Sequence, residues 1–276
     1  MTVTDADLTR WQLDEHSAAA YEQYLVPIIF APAAEGMLEA VAPKPGERLL
    51  DVACGTGVVA RQAAPRVAPG GRVCGLDLND AMLDVARAAA AGAEPAIEWV
   101  QGDAAAMPLP DAAFDVVVCQ AALMFMPDPG TALAEMRRVL APGGRLGLSV
   151  FRDGRFNPLY AAFAELLERH VGADAGTMMR SPFATWGVAD MRGLLADAGL
   201  ADVHVRIVCG GERYPSAAEM LRREAASSPL AGRLGALDAA VHDALARDLE
   251  DALAEHTDDD GVVVPFQALA AFGRRV

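Results

Sequence analysis

Three acids and two glycines stand at intervals that could build a ligand site. Asp51 falls in the apolar run "LLDVA", and Gly55-Thr56-Gly57 follows it before an amphipathic stretch begins. In such a turn the first glycine permits the tight reversal, and the second lets a ligand approach backbone N–H groups at a helix N-terminus. Asp77 closes a second apolar run, "RVCGLD", and Asp103 follows a third, "IEWVQGD". Each acid lies 26 residues beyond the one before it. Carboxylates at the ends of three successive strands converge on one crevice of an open α/β sheet. There Asp77 can accept hydrogen bonds from a ribose diol, and Asp103 from an adenine amino group with the Ala104 amide nearby.

To bring these residues together the chain must alternate strand and helix. Apolar runs at 48–52, 72–76, 97–101, 114–119 and 145–150 are rich in Val, Ile and Leu and are bounded by turn residues. That is the pattern of strands buried on both faces. Helical spacing predicts helices over 58–68, 80–91 and 131–140, the last stopped by Ala141-Pro142-Gly143-Gly144. Repeated strand–helix units imply right-handed crossovers. The expected fold class is therefore α/β: a Rossmann-like, doubly wound, seven-stranded sheet, mostly parallel, with an antiparallel terminal strand and a helical cap. Helices are also expected at 17–42, at 157–198 with a break at 180–187, and at 216–227 and 234–255. Strands are expected at 203–209 and 261–275.

Composition narrows the partners. Hydrophobic residues make up 53% of the 276, which suits a packed core. A formal net charge of −15 argues against nucleic acid, whose binders need a basic stripe. No apolar run approaches the roughly 18 residues of a membrane span. The first residues show neither a basic nor an apolar signal region, so a cytoplasmic protein is expected. The four cysteines form no C-x-x-C pair and the five histidines are dispersed, so a reduced protein without metal is expected.

Gly55 to Ala60 also fits G-x-G-x-x-A, a pattern shared with dinucleotide sites. Asp51 separates the two readings. A pyrophosphate would be opposed by a carboxylate at that turn, whereas an ammonium and a sulfonium would gain from it. S-adenosylmethionine has both cations and no phosphate. An oxidoreductase would further want a dyad such as Tyr-x-x-x-Lys, which the lone Lys44 does not supply.

The stretches "LLDVACGTG", "GLDLNDAML", "GDAAAMPLPDAAFDVVVCQ" and "MRRVLAPGGRLGLSVF" resemble the class I S-adenosylmethionine-dependent methyltransferases. The likeness is to the broad group, methyltransferase type 11, that includes the ubiquinone/menaquinone-pathway enzymes, and it covers 48–151. It implies that Asp51, Ala53, Gly55 and Gly57 hold the methionine part of the cofactor. It places Asp77 on the ribose, Leu78 and Met82 beside the adenine, Asp103 and Ala104 on the adenine edge, and Gln120 beside the methyl group. Two quinone-pathway signatures are absent: an E-x-S on the fifth strand, where Leu148-Ser149-Val150 stands, and an N-terminal Y-D-x-M-N. These departures point away from quinone maturation, and Gln120 after the fourth strand offers no acid for magnesium.

The implied organisation is 1–45 as N-terminal helices covering the site, 46–155 as the S-adenosylmethionine-binding core, and 156–276 as cap elements and last strands, one domain with a lid. The expected function is methyl transfer to an O, N or C atom of a small, apolar or natural-product-like acceptor. The alternative is a cofactor-binding protein with a non-methylating role, a cyclase or a cofactor-sensing partner. The acceptor pocket is expected to include Tyr21, Tyr24, Met124, Phe125, Phe151, Tyr160, Met179 and Trp186, and no residue is named as catalytic base.

Overall fold

A computed structural model describes residues 11–276 of the chain. Helix α1 spans Glu15–Tyr24, and after a π-turn at Val26–Phe30 helix α2 runs over Ala31–Val41. Strands and helices then alternate: β1 Arg48–Val52, α3 Val58–Val67, β2 Arg72–Asp77, α4 Asp80–Ala89, β3 Ile97–Gln101, β4 Phe114–Gln120, α5 Pro129–Val139 and β5 Leu140–Phe151. Three helices follow, α6 Pro158–His170, α7 Ala173–Arg180 and α8 Val188–Asp197, then β6 Ala201–Tyr214. The chain closes with α9 Ala217–Ala226, α10 Ala231–Gly235, α11 Ala239–Leu253, the two-residue β7 Thr257–Asp258, and β8 Gly261–Arg274.

The sheet order is β3-β2-β1-β4-β5-β8-β6, with β7 paired antiparallel to β8 off this path. Strands β1 to β5 pair in parallel. Seven strands lie on this path, the number expected, and β7 makes the sheet eight-stranded. Strand β5 begins five residues early, because Pro142 and Gly143 form an irregularity in the ladder between Phe114 and Val116 rather than a separate turn. Strand β6 runs five residues past the expected end, and the helix expected at 234–255 is interrupted between Gly235 and Ala239.

Two compact units share this chain. A sheet unit comprises Phe30–Val150, Trp186–Val208 and Ala268–Val276. A helical unit comprises the described N-terminal residues from Trp11 to Ile29, with Phe151–Thr185 and Cys209–Gln267. In the sheet unit, Leu50, Val52, Leu76, Val117 and Leu148 pack with Leu133, Met136 and Val139 of α5 and with Met191 and Leu195 of α8. Each fully buried large aliphatic side chain contributes about 1.5–3 kcal/mol against exposure. Cys54, Cys74 and Cys119 are buried, Cys209 is exposed, and none is paired.

The helical unit has its own core, built on Phe163, Leu167, Met220, Leu221, Leu245 and Leu249. It encloses four polar groups. Tyr160 Oη lies 2.7 Å from Glu212 Oε2 and 3.4 Å from Glu224 Oε1. Tyr214 Oη lies 2.8 Å from each of the same two oxygens. The two phenols bring only two protons to these contacts, and Tyr214 can donate only one. Where it touches its second carboxyl it must accept, so one glutamate holds a proton. Burial pushes both glutamates above the ordinary carboxylate range, and Glu224 raises Glu212 further, while the tyrosine hydroxyls pull both the other way.

Candidate functional site

Parallel strands deliver their carboxyl ends to one edge of the sheet unit. Asp51 precedes the last residue of β1, and Asp77 ends β2, which pairs Asp51 with Gly75. The strand order reverses between β1 and β4, and open α/β sheets bind ligands at such a point. After β1 the chain turns through Ala53, Gly55 and Gly57 at φ 52°, 56° and 79°. Gly57 is the N-cap of α3, and its N–H donates to the Cys54 carbonyl at 2.8 Å. The left-handed backbone at Gly55 and Gly57 costs glycine little. Ala53 bears the strain such a conformation imposes on a Cβ, about 1–2 kcal/mol.

Asp51 is 1% exposed. Its Oδ2 accepts one hydrogen bond, from the Ala60 N–H in the first turn of α3 at 3.1 Å. Burial pushes its pKa up to about 8; the Ala60 N–H pulls it down, and the nearby Asp77 charge adds to the rise. Asp77 spans the site: its Oδ2 accepts from Gly55 N–H and its Oδ1 from Asn79 N–H, both at 2.8 Å. Burial raises its pKa too, against the pull of those amides. Among the described residues, no arginine or lysine acts on either acid.

The other expected cofactor residues stand on the same edge. Leu78, just past β2, is a large apolar side chain left 54% exposed, and Met82 is half-buried in the first turn of α4. Past β3, Asp103 is exposed with Oδ1 accepting from Ala105 N–H at 2.8 Å, and Ala104 is buried. Gln120 ends β4; its Nε2 donates to the Phe30 carbonyl at 2.8 Å, while its buried Oε1 has no hydrogen-bond partner. The next residue, Ala121, is left-handed at φ 49° and donates to Ser149 O at 3.0 Å and Ser149 Oγ at 3.1 Å. Ser149 thus pins the backbone after β4, a role the sequence did not disclose.

The expected acceptor residues divide between the units. Met124 and Phe125 form a 3-10 turn after β4, and Met124 and Trp186 pack on the core of the sheet unit. In the helical unit the Phe151 ring lies 5.4 Å from Phe183, which stacks on Tyr160 at 4.8 Å. Tyr160 and Met179 are core side chains there. Tyr21 and Tyr24 lie on α1, and the Arg222 guanidinium sits 4.7 Å above the Tyr24 ring. Among the described residues no group of three or more His, Cys, Asp or Glu is placed to hold a metal ion, and no single helix is long and apolar enough to cross a membrane.

Strand order, switch point and glycine turn define a doubly wound α/β protein of the kind that holds a nucleoside at its carboxyl edge. A methyltransferase-domain family model matches residues 50–148. The chain is 35% identical over 185 residues to a demethylmenaquinone methyltransferase of Renibacterium salmoninarum, covering 63% of this chain and 75% of that protein. It is 42% identical over 123 residues to the nocamycin O-methyltransferase of Saccharothrix syringae, covering 44% of this chain and 43% of that enzyme. In fold it is similar to the Haemonchus contortus phosphoethanolamine N-methyltransferase 2 solved with S-adenosyl-L-methionine, with a TM-score of 0.62 at 21% identity over 100% of this chain and 61% of that one. The chain belongs to the class I S-adenosylmethionine-dependent methyltransferases. These relatives favour methyl transfer over the non-methylating alternative.

Proposed function

We propose that the carboxyl edge of β1 to β4 binds S-adenosylmethionine and that the protein transfers its methyl group to a small, apolar, natural-product-like acceptor. One observation carries the cofactor reading: a buried and a half-buried carboxylate at the glycine turn, on which no arginine or lysine acts among the described residues. A phosphate would oppose ionisation of both acids, whereas an ammonium and a sulfonium would favour their charged forms and be neutralised by them. When bound, the sulfonium supplies an activated methyl for in-line displacement, leaving S-adenosylhomocysteine.

The residues suit that ligand part by part. Asp51 is the counter-charge for the methionine ammonium, beside the backbone of Ala53, Gly55 and Gly57. Gln120 Oε1 is a buried acceptor in want of a donor. Asp77 spends two of its roughly four lone-pair sites on Gly55 and Asn79, so it is held in place with acceptors left for the ribose hydroxyls. Leu78 and Met82 give the adenine an apolar surface, and Asp103 and Ala104 face its edge. Alignment and exclusion of water are the main tasks left to the protein. For the acceptor, Met124, Phe125 and Trp186 are proposed as apolar contacts. The missing quinone signatures support an acceptor of secondary metabolism, and the unpaired cysteines support a cytoplasmic location.

The cofactor test is calorimetric titration of S-adenosylmethionine and NAD into the wild type and Asp77→Ala. A folded Asp77→Ala protein is expected to bind S-adenosylmethionine more weakly by about 1–3 kcal/mol, the usual cost of losing a charge-assisted acceptor. Equal affinity would remove Asp77 from the ribose, and tight NAD binding would overturn the cofactor reading. For the acceptor, transfer of labelled methyl to members of an apolar natural-product panel is the expected result. Methylation confined to a polar amine or to nucleic acid would overturn it.

A further inference from the structure

Strand β3 carries a side chain that reaches the glycine turn from beneath. The register pairs Trp99 directly with Gly75 of β2, so the indole lies over a position with no side chain. A Cβ on Gly75 would come 2.4 Å from Trp99 Cζ3 and 2.6 Å from Cε3, and 3.0 Å from Cys54 Sγ. The same ring continues to Gly57, where a Cβ would meet Trp99 Cη2 at 2.2 Å and Cζ3 at 2.8 Å. The indole thus fills the space that a side chain on Gly75 of β2 and one on Gly57, the N-cap of α3, would both occupy. Two absent side chains make room for one large one, and that room is used fully.

We propose that Trp99 is a positioning residue for the cofactor: it fixes the height of the turn whose glycines hold the methionine part. The proposal rests on the cofactor reading given above. The turn's other supports are hydrogen bonds: Gly57 N–H to the Cys54 carbonyl within the turn, Cys54 N–H to the Leu76 carbonyl of β2, and Gly55 N–H to Asp77 across it. None of them fills the space beside Gly57 that the indole occupies. A smaller side chain at 99 leaves the turn free to settle toward β2, away from the amino-acid moiety. The ribose and adenine contacts, on Asp77, Leu78, Asp103 and Ala104, come from other loops and keep their places.

That division supplies a readout which general destabilisation would not move. S-adenosylhomocysteine has the amino-acid moiety and methylthioadenosine lacks it, while both carry the nucleoside. For Trp99→Val, the dissociation constant of S-adenosylhomocysteine is expected to rise about tenfold, while that of methylthioadenosine stays within about a factor of two. Gly75→Ala, whose Cβ would push the same ring, is expected to show the same selective loss with Trp99 intact. Should Trp99→Val fail to fold, the Trp11→Phe/Trp186→Phe protein leaves Trp99 as its single tryptophan. Its emission is expected to change with S-adenosylhomocysteine and not with methylthioadenosine. Equal weakening of both ligands, unaltered homocysteine-ligand binding, or emission indifferent to it would overturn the proposal alone. A wild type that binds neither S-adenosylmethionine nor S-adenosylhomocysteine would overturn the cofactor reading itself.

Discussion

Asp51 carries a charge that folding alone does not reward. With its pKa raised from 3.8 to about 8 by burial, the ligand-free protein is stabilised most by this residue at pH below about 4, and that contribution drains away as pH climbs toward 8. Ligand binding runs the other way. A bound ammonium favours the ionised carboxylate, so S-adenosylmethionine affinity is expected to rise with pH toward 8, by at most about tenfold per unit, and to fall again once the ligand's own amino group loses its proton. At pH 7 binding should release a proton, visible as a buffer-dependent enthalpy in calorimetry. Asp51→Asn is expected to raise the melting temperature of the ligand-free protein at pH 8, since it removes a buried carboxylate charge while leaving an oxygen to accept from Ala60 N–H. The same variant should bind the cofactor poorly and without the pH slope. A lower melting temperature with unchanged affinity would assign Asp51 to packing alone. The acids and glycines were legible because their residue types are costly where they stand. The left-handed backbone at Ala53 and Ala121 was not, because nothing in an alanine announces it.

Among the elements, β1, β2, β4 and β5 were legible from short apolar runs, since a strand covered on both faces has little polar side to blur it. Strand β3, at the sheet edge with Glu98 and Gln101 exposed, was legible from Ile97, Trp99 and Val100. Strand β6 was read short because its outer half, "GGERY", alternates with exposed polar residues and derives its strand character from β8. Trp99 was read only as one residue of a strand. Its neighbours Gly75 and Gly57 lie 24 and 42 residues away in sequence, and only the pairing of β2 with β3 brings them under the ring. The shared proton between α9 and β6 was equally hidden, since Glu212 and Glu224 look like two more surface acids. Because both glutamates are raised by burial, their contribution to stability is greatest in acid and is lost as pH rises through neutrality. The positive groups on neighbouring elements are engaged elsewhere: Arg222 and Arg223 with Glu219, Arg213 with Asp258, and Arg169 and His170 with Asp248. A thermal scan of the wild type is expected to fall from pH 6 to pH 9. Glu224→Gln, whose amide donates to Tyr214 at every pH, should flatten that fall. A wild-type profile that does not decline, or one that Glu224→Gln leaves as steep, would refute the shared proton.

At the scale of the molecule, the two units have hydrophobic cores with no side chain in common. Calorimetry is therefore expected to resolve two transitions, of which S-adenosylhomocysteine raises the one belonging to the sheet unit. At a hundredfold excess over its dissociation constant the gain is about 2.7 kcal/mol. A single transition, moved as a whole by ligand, would make the chain one cooperative body. The sequence reads as N-terminal helices, a core and cap elements making one domain with a lid; where the chain passes between the two units is set by contacts distant in sequence. The chain changes unit five times, and three of those changes fall inside strands, in β5, β6 and β8. Gene-level recombination between relatives therefore has no single crossover that respects both cores. A hybrid joined at one point would graft half a hydrophobic interior onto a foreign half, whereas exchanging all three helical stretches together would transplant an interior that already fits itself.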